Sequence, residues 1–239
     1  MFGFFKKKEP PKITAILVAA GSGTRMNSEK NKVFIEIADR PVIAHSLLAF
    51  QNAPAVIDII VVTREEDILL VGDIGAEFNI TKLSKVVKGG SERHESVKLG
   101  LQEIEDSELV LVHDAARPCI RIEDIEGVIN IAKKHGAATL AHKVTDTLRY
   151  ASDGILNETV DRESLWTMQT PQVFNLDILK KAHDSTTISR VTATDDVMLV
   201  QQLNIPVYIY AGSRSNIKIT TPEDLIIAES IIARSDNNV

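Results

Sequence analysis

The sequence predicts an α/β domain built on a mainly parallel sheet with a projecting β-arm. Short apolar, β-branched runs end at glycine or at polar residues, and stretches of helical spacing roughly 10–15 residues long separate them. The alternation lapses once, between about residues 142 and 174. Continuous apolar runs are what a parallel sheet needs, because its strands are covered on both faces. With 239 residues, 44% of them hydrophobic, the chain is long enough for one large domain with a sizeable core.

Taken in order, residues 13–20 form a strand interrupted only by Thr14. Val42, Ile43, Leu47, Leu48 and Phe50 then follow a helical period behind Pro41, which suits a first helical turn. Residues 56–62 are a second buried strand, 65–78 a helix with Ile68, Leu69, Ile74 and Phe78 inward, and 83–87 a third strand. A helix over 91–104, a strand over 109–112, a helix over 122–135 and a strand over 137–141 continue the pattern. In the 142–174 stretch, Asp153-Gly154 marks a turn between apolar residues spaced two apart, which reads as a hairpin arm. Helices over 176–182 and 195–203, strands over 206–210 and 217–219, and a last helix from Pro222 complete a Rossmann-like three-layer arrangement. We expect one domain over 1–239, with residues 1–11 a solvated, flexible tail.

A net charge of −6 argues against a nucleic-acid partner. Cys119 is the one cysteine, so neither an internal disulfide nor a cysteine-based zinc site is available, and a cytoplasmic location follows. The N-terminal apolar stretch is only about five residues against the ~20 that span a bilayer, and Lys6–Lys8 follow it rather than precede it. No membrane partner is expected.

The charged and small residues that suggest chemistry follow the first strand. Gly21 and Gly23 let backbone N–H groups converge on an anion, and Arg25 and Lys32 add full positive charges. Met26 stands where a dinucleotide fingerprint needs glycine, and no GxxxxGK[ST] occurs, so the ligand suggested is a nucleoside triphosphate held in some other way. A plain strand-to-helix turn explains the glycines but not the two cations. His113-Asp114-Ala115-Ala116-Arg117-Pro118 also follows a strand, at the end where ligands of open α/β sheets lie. Asp114 suits Mg²⁺ and Arg117 a phosphate; the alternative is that the two pair with each other. Gly89-Gly90-Ser91-Glu92-Arg93 either admits a base or ribose or makes a turn. Arg162 and Lys218 are lone charges for which a solvent-facing role is the alternative, and His45, His94, His135, His142 and His183 share no spacing with acids or cysteine.

Six motifs, AAGSGTRM with Lys32, GGSERHESV, HDAARP, TVDRESLWTMQTPQ, ATDD and NIKITTPEDL, resemble in order the 2-C-methyl-D-erythritol 4-phosphate cytidylyltransferases. The resemblance covers about residues 13–232. It implies transfer of CMP from CTP to methylerythritol phosphate with release of pyrophosphate, Mg²⁺ as cofactor, and a homodimer whose arms cross between subunits. By the same resemblance Arg25 and Lys32 stabilise the pentacoordinate α-phosphate. Arg162 and Lys218 position the acceptor, Arg162 from the neighbouring subunit. Asp114 is the metal and substrate carboxylate with Arg117 beside it, and Thr147 and Thr170 fall near substrate contacts. Ala19, Ala20, Gly89 and Ser96 surround the cytosine and ribose. One departure is Asn31, where the family commonly has proline; a looser approach to Lys32 is the expected consequence.

The nearest competing function is that of a ribitol 5-phosphate cytidylyltransferase, against which Ala116 and LWTMQTPQ weigh. An NAD-dependent oxidoreductase is disfavoured by Met26, and an inactive nucleotide-sensing module by the presence together of Arg25, Lys32, Asp114, Arg162 and Lys218.

Overall fold

A computed structural model describes residues 11–21, 31–185 and 193–236. Its centre is a seven-stranded sheet. The strands are β1 (Ile13–Val18), β4 (Asp58–Thr63), β5 (Leu83–Lys88), β6 (Leu109–Asp114), β7 (Ala137–Lys143), β10 (Trp166–Asn175) and β11 (Tyr208–Ala211). They lie side by side in the order β11-β7-β10-β6-β1-β4-β5. Neighbours pair in parallel except at β10, which runs antiparallel to both β6 and β7. Two short strands, β2 (Glu36–Ile37) and β3 (Arg40–Pro41), pair beside it, and a separate hairpin is made by β8 (Arg149–Ser152) and β9 (Ile155–Thr159).

Successive side chains of a strand point to opposite faces, so the unbroken apolar run of β1 feeds two cores. Ile13, Ala15 and Leu17 pack on one face with α1 (Val42–Asn52), α2 (Ile68–Glu77) and α4 (Ile122–His135). Ile16 packs on the other with α3 (Arg93–Gln102), α5 (Leu176–Asp184) and α6 (Asp196–Gln201). The last helix, α7 (Pro222–Asp236), closes a smaller cluster that includes Cys119 and Ile219. Local signals place several boundaries well. Gly136 ends α4 in the left-handed region at φ 84°, and Asp153 and Gly154 take φ 50° and 78°, the turn that joins two twisted strands.

Three expectations need correction. The anticipated arm of residues 142–174 is shorter, because Trp166–Asn175 is a strand of the main sheet with Val173 and Phe174 fully buried. Its middle is polar and contains Pro171, which cannot donate to a ladder; a register shift between Met168 and Gln172 accommodates it. Residues 217–219 are not a strand: Ile219 is anchored instead by its N–H to the Ala116 carbonyl, at 2.9 Å. Leu69 is 82% exposed, not inward, because a 3₁₀ turn at Glu65–Asp67 precedes α2 and shifts the phase, leaving Val71 and Ile74 to face the core.

His113 belongs to this core rather than to a reactive site. Its ring lies 4.9 Å from that of Phe50, with Nδ1 3.1 Å from Thr170 Oγ1 and Nε2 3.3 Å from the Arg117 carbonyl. Burial holds its pKa down at about 3, from an ordinary value of 6.5. Below pH 6.5 the unfolded chain therefore binds a proton that the folded one refuses, and stability falls as pH falls. Between pH 7 and 5 this amounts to about 2 kcal/mol. Melting temperatures of the parent and of His113→Gln should converge over that range, because the variant has nothing there to lose. A constant gap between them would show that His113 is protonated in the folded state.

Candidate active site

Strands β1, β5 and β6 release their carboxyl ends towards one cavity of about 330 Å³. Ala19, Ala20 and Gly21 form its wall after β1, and Ser96 and Arg93 of α3 face it from the side of β5. Lys32, Asp114 and Lys218 complete the polar lining, so residues from the first and last motifs meet in one place. Arg25 and Gly23 lie outside the described residues, as does the tail over residues 1–10.

The wall after β1 is held by its backbone. The Ala19 N–H donates to the Val62 carbonyl at 2.7 Å, and the Ala19 carbonyl accepts from Asn31 Nδ2 at 3.0 Å. Asn31 is 1% exposed; its Oδ1 accepts from the Val33 N–H at 3.3 Å and caps the 3₁₀ turn Lys32–Phe34. The looser approach expected from Asn31 is therefore not what these bonds produce. Its amide fastens the residue before Lys32 to the end of β1, doing by hydrogen bonds what proline does by ring closure. Gly89 stands behind this wall. A Cβ there would meet Ala20 Cβ at 2.7 Å and Ser96 Oγ at 2.8 Å, so glycine is what lets β5 come this close.

Asp114 is the electrostatic centre. Its carboxylate lies 2.8 Å from Lys218 Nζ, 3.3 Å from Arg93 Nε and 3.7 Å from Arg117 Nε. Burial alone would raise its pKa, but Arg93, Lys218 and Arg117 together hold it well below the usual carboxylate range. Burial lowers the pKa of Arg117, against which Asp114 pulls upward. Arg93 is likewise disfavoured by burial, yet Asp196 and Asp114 raise its pKa overall. Asp114, Arg93 and Arg117 are ionised near neutral pH. Arg117 does pair with Asp114, and its Nη1 donates to the Asn216 carbonyl at 2.9 Å, so it braces the carboxylate from behind the cavity.

Thr170 is buried and does not line the cavity. Its hydroxyl accepts from the Asp114 N–H at 3.1 Å, and its carbonyl accepts from Asn216 Nδ2 at 2.9 Å. Thr147 is exposed, and Arg162 donates to the Thr145 carbonyl; neither lines the cavity of its own chain. Sequence reasoning assigned no role to Arg93, Asp196 or the Asn31 clamp. Arg93 and Asp196 stand inside two of the quoted motifs, but nothing local shows that they touch across 103 positions.

Comparison with known proteins bears on the same residues. The model of the family described as IspD, 2-C-methyl-D-erythritol 4-phosphate cytidylyltransferase, matches residues 13–234. A 2-C-methyl-D-erythritol 4-phosphate cytidylyltransferase of Halalkalibacterium halodurans is 39% identical over 223 residues, covering 93% of this chain and 98% of the relative. One from Lachnoclostridium phytofermentans is 44% identical over 225 residues, covering 92% and 96%. Among solved structures, 4-diphosphocytidyl-2C-methyl-D-erythritol synthase from Anaerococcus prevotii superposes with a TM-score of 0.82 at 32% identity, over 94% of this chain and 97% of that one. The enzyme from Thermus thermophilus gives 0.74 at 30%, over 92% and 98%. The matched span contains both lysines of the cavity, the carboxylate between them and the arm, and the chain belongs to the 2-C-methyl-D-erythritol 4-phosphate cytidylyltransferase family.

Proposed function

We propose that the chain transfers CMP from CTP to 2-C-methyl-D-erythritol 4-phosphate, giving 4-diphosphocytidyl-2-C-methyl-D-erythritol and pyrophosphate. The observation that carries this reading is the meeting of Lys32, Asp114 and Lys218 in one cavity at the carboxyl ends of the strands. Family membership supports the choice of substrates.

The nucleophile is a phosphate oxygen, already anionic near neutral pH, so no general base is required. His113 offers none, since both of its ring nitrogens are engaged inside the core. The barrier is mutual repulsion between phosphates. Two unit charges 4 Å apart interact by about 4 kcal/mol at an effective dielectric of 20. The residues therefore act by alignment and by charge stabilisation. Lys32, and Arg25 by resemblance, offset charge on the transferring phosphoryl group, while Lys218 holds the acceptor phosphate and Arg117 braces Asp114 from behind the cavity. Ala19, Ala20, Gly21 and Ser96 provide a close-fitting wall for the nucleoside.

Mg²⁺ is part of the proposal. The donor set fits an ion that arrives on the triphosphate. Asp114 lines the cavity with one carboxylate that it already shares with Lys218, Arg93 and Arg117, so phosphate oxygens and water would supply most ligands. No group of three or more His, Cys, Asp or Glu side chains suited to a metal occurs among the described residues. When bound, the ion would neutralise phosphate charge, with Asp114 its protein ligand. A cytoplasmic homodimer with exchanged arms is also proposed. Tyr150, Ile155 and Leu156 on the β8–β9 hairpin are 63%, 68% and 67% exposed, an apolar surface that a second copy would cover. Arg162, which does not line the cavity of its own chain, would then serve the partner's. No helix among the described residues is long and apolar enough to cross a membrane.

Pyrophosphate release should be measured with CTP, Mg²⁺ and either 2-C-methyl-D-erythritol 4-phosphate or ribitol 5-phosphate. Faster turnover of the ribitol phosphate would overturn the assignment. Lys32→Ala should lower kcat by on the order of 10²-fold, the scale of losing one transition-state donor; near-normal kcat at saturating substrates would remove Lys32 from that role. Mixed dimers of Lys32→Ala with Arg162→Ala chains should recover turnover that neither homodimer shows. No recovery would argue that Arg162 does not cross.

A further inference from the structure

Arg93 spans two carboxylates. Its Nε donates to Asp114 Oδ1 at 3.3 Å and its Nη1 to Asp196 Oδ2 at 2.7 Å. Asp196 opens α6, far from the cavity lining in sequence, and its side chain is completely enclosed. Every polar atom it could turn elsewhere is engaged: Oδ1 meets His183 Nε2 at 3.0 Å, and its N–H donates to Gln172 Oε1 at 3.1 Å. Gln172 is fixed in turn by donating to Asp195 Oδ2 at 3.0 Å.

An enclosed carboxylate is a poor device for stability, because its desolvation opposes the attraction it gains, and an apolar group of similar shape often serves as well. What it supplies here is direction. With Nη1 anchored, the guanidinium plane cannot swing away from Asp114, even though Arg93 Nη2 is left buried without a hydrogen-bond partner. Arg93 is thus placed for the sake of Asp114 rather than for its own bonding. A lysine could not do this, since it offers a point charge instead of a planar fork. We infer that Asp196 is a positioning residue of the transfer site: it clamps Arg93 so that Arg93 engages Oδ1 of Asp114 and leaves Oδ2 turned towards Lys218 and Arg117. The inference deepens the proposed function and rests on it.

A double-mutant cycle separates this role from a structural one. Asp196→Asn, Arg93→Gln and the double variant are compared with the parent for kcat/KM towards methylerythritol phosphate and for melting temperature. Asp196→Asn should lower kcat/KM about tenfold. In the Arg93→Gln background the same change should alter it less than twofold, because the clamp has nothing left to hold, while the losses in melting temperature persist. Effects on kcat/KM that multiply independently, or a folded Asp196→Asn with parental kcat/KM, overturn the inference. If Asp196→Asn does not fold, Arg93→Lys decides. A tenfold loss despite the retained charge supports the clamp, and parental kcat/KM overturns it. A parent that releases no pyrophosphate overturns the functional reading, and the inference with it.

Discussion

The burial of one ionised carboxylate, Asp114, among three cations is the interaction on which the site depends. Lys218, Arg93 and Arg117 come from three different segments, and without an anion between them their like charges would push those segments apart. Desolvating Asp114 costs several kcal/mol, which its three partners offset together; removing one leaves two in place, whereas removing Asp114 leaves the cations without their counterion. Asp114 is therefore a resident counterion that keeps an anion-binding cluster assembled before any phosphate arrives. Lys218, 36% exposed where Arg117 is 12%, is the partner best placed to turn towards an incoming phosphate while Arg117 stays as brace.

The two sides of the cavity are stiffened by different means. The wall after β1 uses backbone atoms: Ala19 is bonded on both its N–H and its carbonyl, and Gly89 lets the neighbouring strand end approach closely. The side around Asp114 uses side chains: Thr170 and Asn216 hold the backbone in place while Arg93 and Lys218 hold the carboxylate. The backbone-supported wall is sensitive at Asn31 and Gly89, and the ion-pair side at Arg93 and Asp196, whose effects are coupled.

This difference also sets how much could be read from the sequence. β1, β6 and α4 were legible because their signals are local: an apolar run, a helical period, a glycine at the C-cap. The residues lining the cavity after β1 were legible for the same reason. Lys218 was legible as a lone charge, but not its partner: Ile219 beside it is buried while Lys218 reaches Asp114, although no strand forms there. β10 was hidden because its buried residues include Gln169, Thr170 and Gln172, whose value lies in hydrogen bonds to partners far away in the chain. The pairing of Arg93 with Asp196 was hidden for the same reason, and the Asn31 clamp because a side-chain amide reveals its partners only once the chain has folded.

The direction of β10 explains why an arm belongs at this site at all. β7 runs parallel to β6, so it ends at the same edge of the sheet as Asp114. β10 enters antiparallel between them and must therefore begin at that edge, which forces the intervening residues 144–165 to emerge on the ligand side. A parallel β10 would have required a crossover to the opposite edge and would have carried the hairpin away from the cavity. The same reversal brings Gln169–Gln172 alongside the end of β6, where Thr170 supports Asp114 and Gln172 supports Asp196. One antiparallel strand thus does two things that a uniformly parallel sheet could not. It braces the carboxylate from behind, and it launches the arm from the edge where ligands bind.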